Sequence, residues 1–100
     1  MEVQIRIEKL LTEAFEPTVL DVRNESNMHH VPKGSETHFK VVIVSESFAE
    51  MMPVKRHQQV YQVMADELQG AVHALALHTY TVGEWEQLDG RVTPSPNCKG

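Results

Sequence analysis

The residues best suited to chemistry in this 100-residue chain are six histidines, set against a single cysteine. Three of them, His29, His30 and His38, fall in one stretch that also contains Pro32 and Gly34. Imidazole nitrogens bind transition metals, but a segment that offers imidazoles without thiolates completes only part of a metal's coordination shell. The pattern therefore predicts a shared metal site, with the missing ligands supplied by a partner.

Composition restricts the class of protein. A chain of 100 residues with 41% hydrophobic residues is expected to form one domain with a modest core. No apolar run approaches the roughly 20 residues that a membrane-spanning helix needs, and the start of the chain mixes charged with apolar side chains, unlike a signal peptide. We therefore expect a cytoplasmic protein that does not bind membranes, in which Cys98 forms no disulfide.

Charge restricts the nucleic-acid partners. The net charge of -5 repels DNA and RNA at long range, so any DNA contact is expected to be weak and to come from a local basic patch. RNA binding through a Gly-x-x-Gly loop is not expected, because no two of the five glycines are three residues apart.

Hydrophobic spacing predicts the helices. Between Val3 and Phe15, apolar side chains recur every three or four residues, which predicts an amphipathic helix that ends before Pro17. A second amphipathic helix is predicted after Pro53, with Gly70 placed to cap its end. Its buried stripe is expected to contain His57, Val60, Tyr61, Met64 and Leu68. Its water-facing side is expected to contain Lys55, Arg56, Gln58, Gln59 and Gln62.

Strands are predicted at residues 18–25, 38–45 and 72–81, where apolar residues alternate or β-branched residues cluster. A capping-box pattern, Thr81 to Glu84, predicts a short third helix. The first two strands can pair antiparallel, and the second and third, joined through a helix, should pair in parallel. This gives an α+β fold of order α-β-β-α-β-α, a three-stranded mixed sheet with its helices on one face. Residues 1–90 are expected to form the domain, and 91–100 a flexible tail.

Four runs of the sequence are informative together: residues 34–42 (GSETHFKVV), 55–61 (KRHQQVY), 65–68 (ADEL) and 72–77 (VHALAL). In their order and spacing they resemble the BolA family. The resemblance extends over nearly the whole chain and implies a class II KH-like fold, which agrees with the order of elements above. It also implies two roles: DNA-binding transcriptional regulation linked to stress response and cell morphology, and partnership with monothiol glutaredoxins around a bridging 2Fe-2S cluster.

The resemblance also implies a ligand set. Two imidazoles on one iron are a known arrangement for a 2Fe-2S cluster. Here they would be His73, at the head of the third strand, and His29, with the adjacent His30 as the alternative loop ligand. Glutaredoxin and its glutathione would supply the thiolates, so the isolated chain would carry no cofactor. The alternative for His73 is an ordinary hydrogen-bonded histidine at a strand start.

The remaining histidines and the cysteine are expected to lie outside the metal site. His57 falls on the apolar stripe of the second helix and is predicted to be structural. His38 and His78 flank strands and are predicted to be surface residues. Cys98 lies in the tail, whose ordering would cost conformational entropy, so it is not expected to bind metal.

Nucleic-acid contact is predicted near the start of the second helix, where Lys55, Arg56, Gln58 and Gln59 could reach phosphates and base edges. The alternative is an ordinary solvated helix face. No phosphate-binding loop, nucleophile elbow or zinc-protease pattern occurs, so neither catalysis nor a small-molecule substrate is expected. Two hypotheses remain: a DNA-binding regulator that also handles iron-sulfur clusters, or an iron-sulfur adaptor without physiological DNA binding.

Overall fold

The computed structural model describes residues 2–26 and 36–88, and their elements confirm the predicted order α-β-β-α-β-α. The first elements are α1 (Glu2–Phe15), β1 (Val19–Asn24), β2 (His38–Val44) and a 3-10 helix (Glu46–Phe48). The remaining elements are α2 (Pro53–Val63), α3 (Ala65–Gln69), β3 (Ala74–Tyr80) and α4 (Val82–Gln87). None of the helices in these ranges is long and apolar enough to cross a membrane. The loop histidines His29 and His30 and the predicted tail lie outside the described residues.

The three strands form one mixed sheet in the order β1-β2-β3. β1 pairs antiparallel with β2, with Val22 opposite Val41, and β2 pairs in parallel with β3, with His38 opposite Ala74. A parallel pair requires a crossover connection, which α2 and α3 provide. Both pairings match the prediction, and β2 is the central strand.

The core lies between the sheet and the helices. Ile7, Leu11 and Phe15 are spaced four residues apart along α1, so they share one side of the helix, and all three are buried. They pack with alternate residues of β2 and with the inward side of α2. The other members of this cluster are Val22, Phe39, Val41, Ile43, Phe48, Val60, Met64 and Val72. Helices α1 and α2 therefore cover the face of the sheet that contains Phe39, Val41 and Ile43.

The predicted second helix consists of two helices that meet at Met64. Met64 is fully buried, and its backbone (φ -95°, ψ 12°) ends α2 and begins α3. Its N–H still donates to the carbonyl of Val60 at 2.9 Å, so the hydrogen-bond ladder crosses the junction. Gly70 caps α3, as predicted. The prediction that Tyr61 is buried is wrong, because it lies about 100° around the helix from Val60 and is 41% exposed.

Candidate functional site

His73 lies immediately before β3, where its backbone is hydrogen-bonded while the residue is exposed. Its N–H donates to the carbonyl of Thr37 at 2.8 Å, and the N–H of Ala74 donates to the same carbonyl at 3.1 Å. Because Thr37 directly precedes β2, these bonds tie together the starts of two neighbouring strands. An exposed imidazole on a fixed backbone is what a ligand shared with a second protein requires.

Ser26, which directly precedes segment 27–35, is hydrogen-bonded to the backbone at the start of β2. It is 2% exposed, and its Oγ accepts hydrogen bonds from the N–H groups of Thr37 at 2.9 Å and His38 at 3.0 Å. Ser26, before segment 27–35, is therefore in contact with Thr37, which lies just after it. Thr37 is also the residue whose carbonyl accepts the N–H of His73.

Glu36 fixes the same region to α1. Its carboxylate accepts the backbone N–H groups of Val3 at 3.4 Å and Gln4 at 3.1 Å, which lie in the first turn of α1 and lack acceptors within the helix. Burial opposes ionisation of Glu36, but hydrogen bonds to its carboxylate outweigh burial and lower its pKa. Residues 36–38 are thus held by α1, by Ser26 and by the start of β3.

His38 is a second histidine near His73, and its position there does not follow from sequence spacing. It is the first residue of β2 and pairs in register with Ala74, the neighbour of His73. It is half-buried rather than at the surface, and its Nδ1 lies 2.9 Å from Oγ1 of Thr37. The register of the parallel strands, which the sequence does not specify, places His38 beside Ala74, the neighbour of His73.

Metal donors in the described part of the chain are not grouped into a complete site. No group of three or more His, Cys, Asp or Glu side chains in residues 2–26 and 36–88 could hold a metal ion. His73 and a loop histidine could fill two positions on one iron, and thiolates of a partner would have to fill the others.

Arg56 is buried, which corrects its predicted place on the water-facing side of the second helix. Only 6% of it is exposed, and its Nε donates to the carbonyl of Met51 at 2.9 Å. Its Nη1 and Nη2 donate to the two carboxylate oxygens of Glu84 at 2.6 and 3.0 Å, a bidentate ion pair. Nη1 also lies 3.5 Å from the carbonyl oxygen of Thr79 in β3. The guanidinium is therefore engaged in internal contacts that join α2 to β3 and α4.

The other predicted DNA-contact residues remain accessible to different degrees. Lys55 and Gln58 are exposed, and Gln59 is half-buried. Two apolar side chains that the sequence did not single out flank the start of α2: Met52 is 74% exposed and Val54 is 68% exposed. The accessible surface at this helix start is therefore more apolar, and less cationic, than predicted.

His57 and His78 occupy partly buried positions. His57 is half-buried on α2, and burial, followed by the charge of Arg56, lowers its pKa. His78 lies within β3 with its Nε2 buried and without a hydrogen-bond partner, so the prediction of a surface residue beside a strand is wrong. Burial, then the charges of Lys40 and His57, lower the pKa of His78, and Glu25 opposes the shift. The folded state therefore favours the neutral form of both imidazoles.

Comparison with known proteins identifies the family. The family model for the BolA-like protein matches residues 11–84. The chain belongs to the BolA family. The DNA-binding transcriptional regulator BolA of Vibrio cholerae is 54% identical over 98 residues, which cover 98% of this chain and 92% of that protein. The protein of the same name in Escherichia coli is 51% identical over 100 residues, which cover 100% of this chain and 95% of that protein.

A solved BolA structure shares the fold. The solution structure of BolA1 from Mus musculus is 43% identical, with a TM-score of 0.84, and the match covers 100% of this chain and 80% of that chain. The residues matched by the BolA family model contain all three strands, His73 and the Arg56–Glu84 ion pair. The α+β class predicted from the sequence is thereby confirmed.

Proposed function

We propose that this chain is a non-enzymatic BolA-family regulator that shares a 2Fe-2S cluster with a monothiol glutaredoxin and its glutathione. The observation that carries the proposal is the 2.8 Å hydrogen bond from His73 N–H to the carbonyl of Thr37. It holds an exposed imidazole beside the flanks of the segment that contains His29 and His30. No group of three or more His, Cys, Asp or Glu side chains in the described residues could hold a metal ion, so the proposal assigns the remaining ligands to the partner.

In the proposed complex, His73 and one loop histidine bind one iron as neutral imidazoles. His29 is the preferred loop ligand and His30 the alternative. The thiolates of glutaredoxin and glutathione complete the shell. Such a complex should be acid-labile, because a protonated imidazole cannot bind iron.

Reconstitution of the heterodimer from this chain, a monothiol glutaredoxin, glutathione, iron and sulfide tests the proposal. His73→Ala should shorten the cluster lifetime and change the visible absorption and circular dichroism, because it removes one of the two proposed imidazole ligands. His29→Ala and His30→Ala, made separately, identify the loop ligand. Loss with His30→Ala but not with His29→Ala would move the loop ligand by one residue.

His57→Gln is the matched control, because it removes an imidazole at a different place in the fold. His57 lies on α2 beside Arg56, whose side chain reaches the carbonyl of Thr79 near the end of β3, whereas His73 lies before its start. Its complex should keep the wild-type spectrum. A His73→Ala complex with the spectrum and lifetime of the wild type would contradict the shared-cluster proposal.

DNA-binding transcriptional regulation is a second candidate activity, and the names of the Vibrio cholerae and Escherichia coli relatives favour it. We propose that DNA binding by this chain is weak, salt-sensitive and linked to stress response and cell morphology. The net charge of -5 opposes binding, and Lys55 is the exposed cation among the four predicted contact residues. Few neutralised phosphates mean low affinity. If DNA binding is absent, the chain is purely an iron-sulfur adaptor.

Titration of a short fluorescent DNA duplex across a salt series tests this activity. Lys55→Ala should weaken binding and reduce the slope of log affinity against log salt by about one, as expected for one lost phosphate contact. Lys9→Ala, which removes an exposed cation from α1, is the control and should change neither. An unaltered slope in Lys55→Ala would remove the start of α2 from the contact surface.

A further inference from the structure

We propose that Ser26 is a positioning residue for His73, acting through the backbone of Thr37. The inference rests on the proposed function, in which His73 is a cluster ligand. Ser26 itself does not touch the cluster in this proposal. Its role is to set where the start of β3, and with it the imidazole of His73, stands relative to β2.

The hydrogen bonds form a continuous relay. The Oγ of Ser26 accepts the N–H of Thr37 at 2.9 Å, and the carbonyl of Thr37 accepts the N–H groups of His73 at 2.8 Å and Ala74 at 3.1 Å. Thr37 is thus held on one side by a side-chain hydroxyl and on the other by the residue to be positioned. A shift of Thr37 must therefore move the acceptor of His73.

Burial makes the Ser26 hydroxyl hard to replace. With Ser26 2% exposed, water has little access to substitute for its oxygen. Its Oγ also accepts the N–H of His38 at 3.0 Å, and its own N–H donates to Oδ1 of Asn24 at 3.0 Å. Without the hydroxyl, the N–H groups of Thr37 and His38 lose a shared acceptor, and the relay loosens at its first bond.

His73 has a second support, which limits the expected effect. The preceding residue, Val72, is 1% exposed, and its N–H donates to the carbonyl of Glu67 at 2.8 Å. Loss of the Ser26 hydroxyl should therefore leave the chain folded and β3 attached, while the His73 backbone opens more often.

Ser45 provides a matched control at the other end of β2. It is 1% exposed, its Oγ donates to the carbonyl of Phe15 at 2.7 Å, and the same atom accepts the N–H of Ser47 at 3.0 Å. Ser45→Ala therefore removes an equally buried serine hydroxyl with two backbone contacts, but none that leads to His73. Ser26→Thr, which keeps a hydroxyl, is the conservative variant.

The first measurement is amide hydrogen exchange in the isolated full-length chain. Ser26→Ala should speed exchange at His73 and Ala74 by about tenfold relative to the wild type, whereas Ser45→Ala and Ser26→Thr should leave both rates within about twofold. Should Ser26→Ala fold poorly, Ser26→Cys takes its place. It keeps the size of the side chain but weakens the acceptor, so its exchange rates should lie between the wild-type rates and those expected for Ser26→Ala. Unchanged exchange at both amides would overturn the positioning role, whatever the cluster does.

The second measurement is cluster lifetime and visible circular dichroism in the glutaredoxin complex. Ser26→Ala should shorten the lifetime severalfold, with Ser45→Ala and Ser26→Thr close to the wild type. Equal loss in Ser26→Ala and Ser45→Ala would overturn the inference and indicate general destabilisation. Failure of the proposed function is seen separately, as a cluster that forms equally well without His73. In that case the role of Ser26 in ligand positioning falls too, even with faster exchange.

Discussion

The two ends of β2 are each built around a buried serine, yet they use their polar groups differently. After the strand, Ser45 Oγ donates to the carbonyl of Phe15 at 2.7 Å and accepts the N–H of Ser47 at 3.0 Å. Before the strand, Ser26 Oγ accepts two backbone N–H groups, at 2.9 and 3.0 Å. We call these regions the Ser45 end and the Ser26 end.

At the Ser45 end, charged side chains form ion pairs and hydrogen bonds within the protein. The guanidinium of Arg56 is bound to the carboxylate of Glu84, which also caps α4. At the Ser26 end, backbone groups carry much of the hydrogen bonding, and His73 stands exposed beside them. One end therefore uses its side chains in contacts within the fold, and the other leaves the side chain of His73 exposed.

The largest expected effect on stability is at the Ser45 end. Arg56→Ala removes the donors to Met51 and Glu84 and empties a buried position, so it should lower the free energy of unfolding by about 2–4 kcal/mol. Urea and thermal unfolding measure this directly. Lys55→Ala, which removes the adjacent exposed cation, should change stability by less than about 0.5 kcal/mol. Similar unfolding of the two variants would mean that the buried ion pair contributes little.

The Ser45 end contains one contact that local sequence patterns predict and one that they do not. The capping box was predictable because Thr81 and Glu84 are three residues apart, and both of its hydrogen bonds are present, at 3.0 and 3.1 Å. The Arg56–Glu84 pair was not predictable, because its partners are 28 residues apart and lie on different helices that only the tertiary fold brings together. Helical periodicity treats every arginine among polar residues as solvent-facing, so it placed Arg56 on the wrong side.

At the Ser26 end, the sequence led to the ligand candidate but not to its support. The resemblance indicated His73, and the hydrophobic pattern placed it at the head of a strand. Its bond to Thr37 depends on the register of β2 and β3, and an alternating pattern is unchanged when a strand shifts by two residues. The same register brings His38 beside Ala74. The burial of Ser26 has no sequence signal, since serine is usually exposed.

A smaller effect is expected from the capping box at the Ser45 end. Thr81→Ala should lower stability by about 1 kcal/mol, because it removes the acceptor for Glu84 N–H at the start of α4. Since Glu84 bonds to the Thr81 side chain through its N–H and to Arg56 through its carboxylate, Thr81→Ala and Arg56→Ala should not add independently. A double-mutant cycle of unfolding free energies measures this coupling. Strict additivity would show that the cap and the ion pair act separately.

Acid should weaken the fold through His78. Its pKa is lowered in the folded state, by burial and then by the charges of Lys40 and His57, so folding favours the neutral imidazole. The stability this contributes is present above the unfolded pKa of about 6.5 and is lost as the pH falls towards and through the lower folded value. His78→Leu should therefore flatten the dependence of stability on pH between about 7 and 5.

The buried, unpartnered Nε2 of His78 gives the same substitution a second expected result. At pH 8, where the imidazole is neutral in both states, His78→Leu should be close to neutral or stabilising, because it removes a polar atom without a partner. Unfolding measured at several pH values separates the two effects. An unchanged slope with pH in His78→Leu would assign the acid sensitivity to other groups, including His57, whose pKa is lowered as well.

The smallest expected effect on stability is at the proposed ligand itself. His73→Ala should change the free energy of unfolding by less than about 0.5 kcal/mol, because His73 is exposed and alanine retains the N–H that donates to Thr37. His73→Pro removes that N–H and should destabilise the start of β3 measurably. Unfolding curves of both variants therefore separate the contribution of the His73 backbone to stability from the contribution of its imidazole. A large loss of stability in His73→Ala would make the imidazole structural and remove the contrast between the two ends of β2.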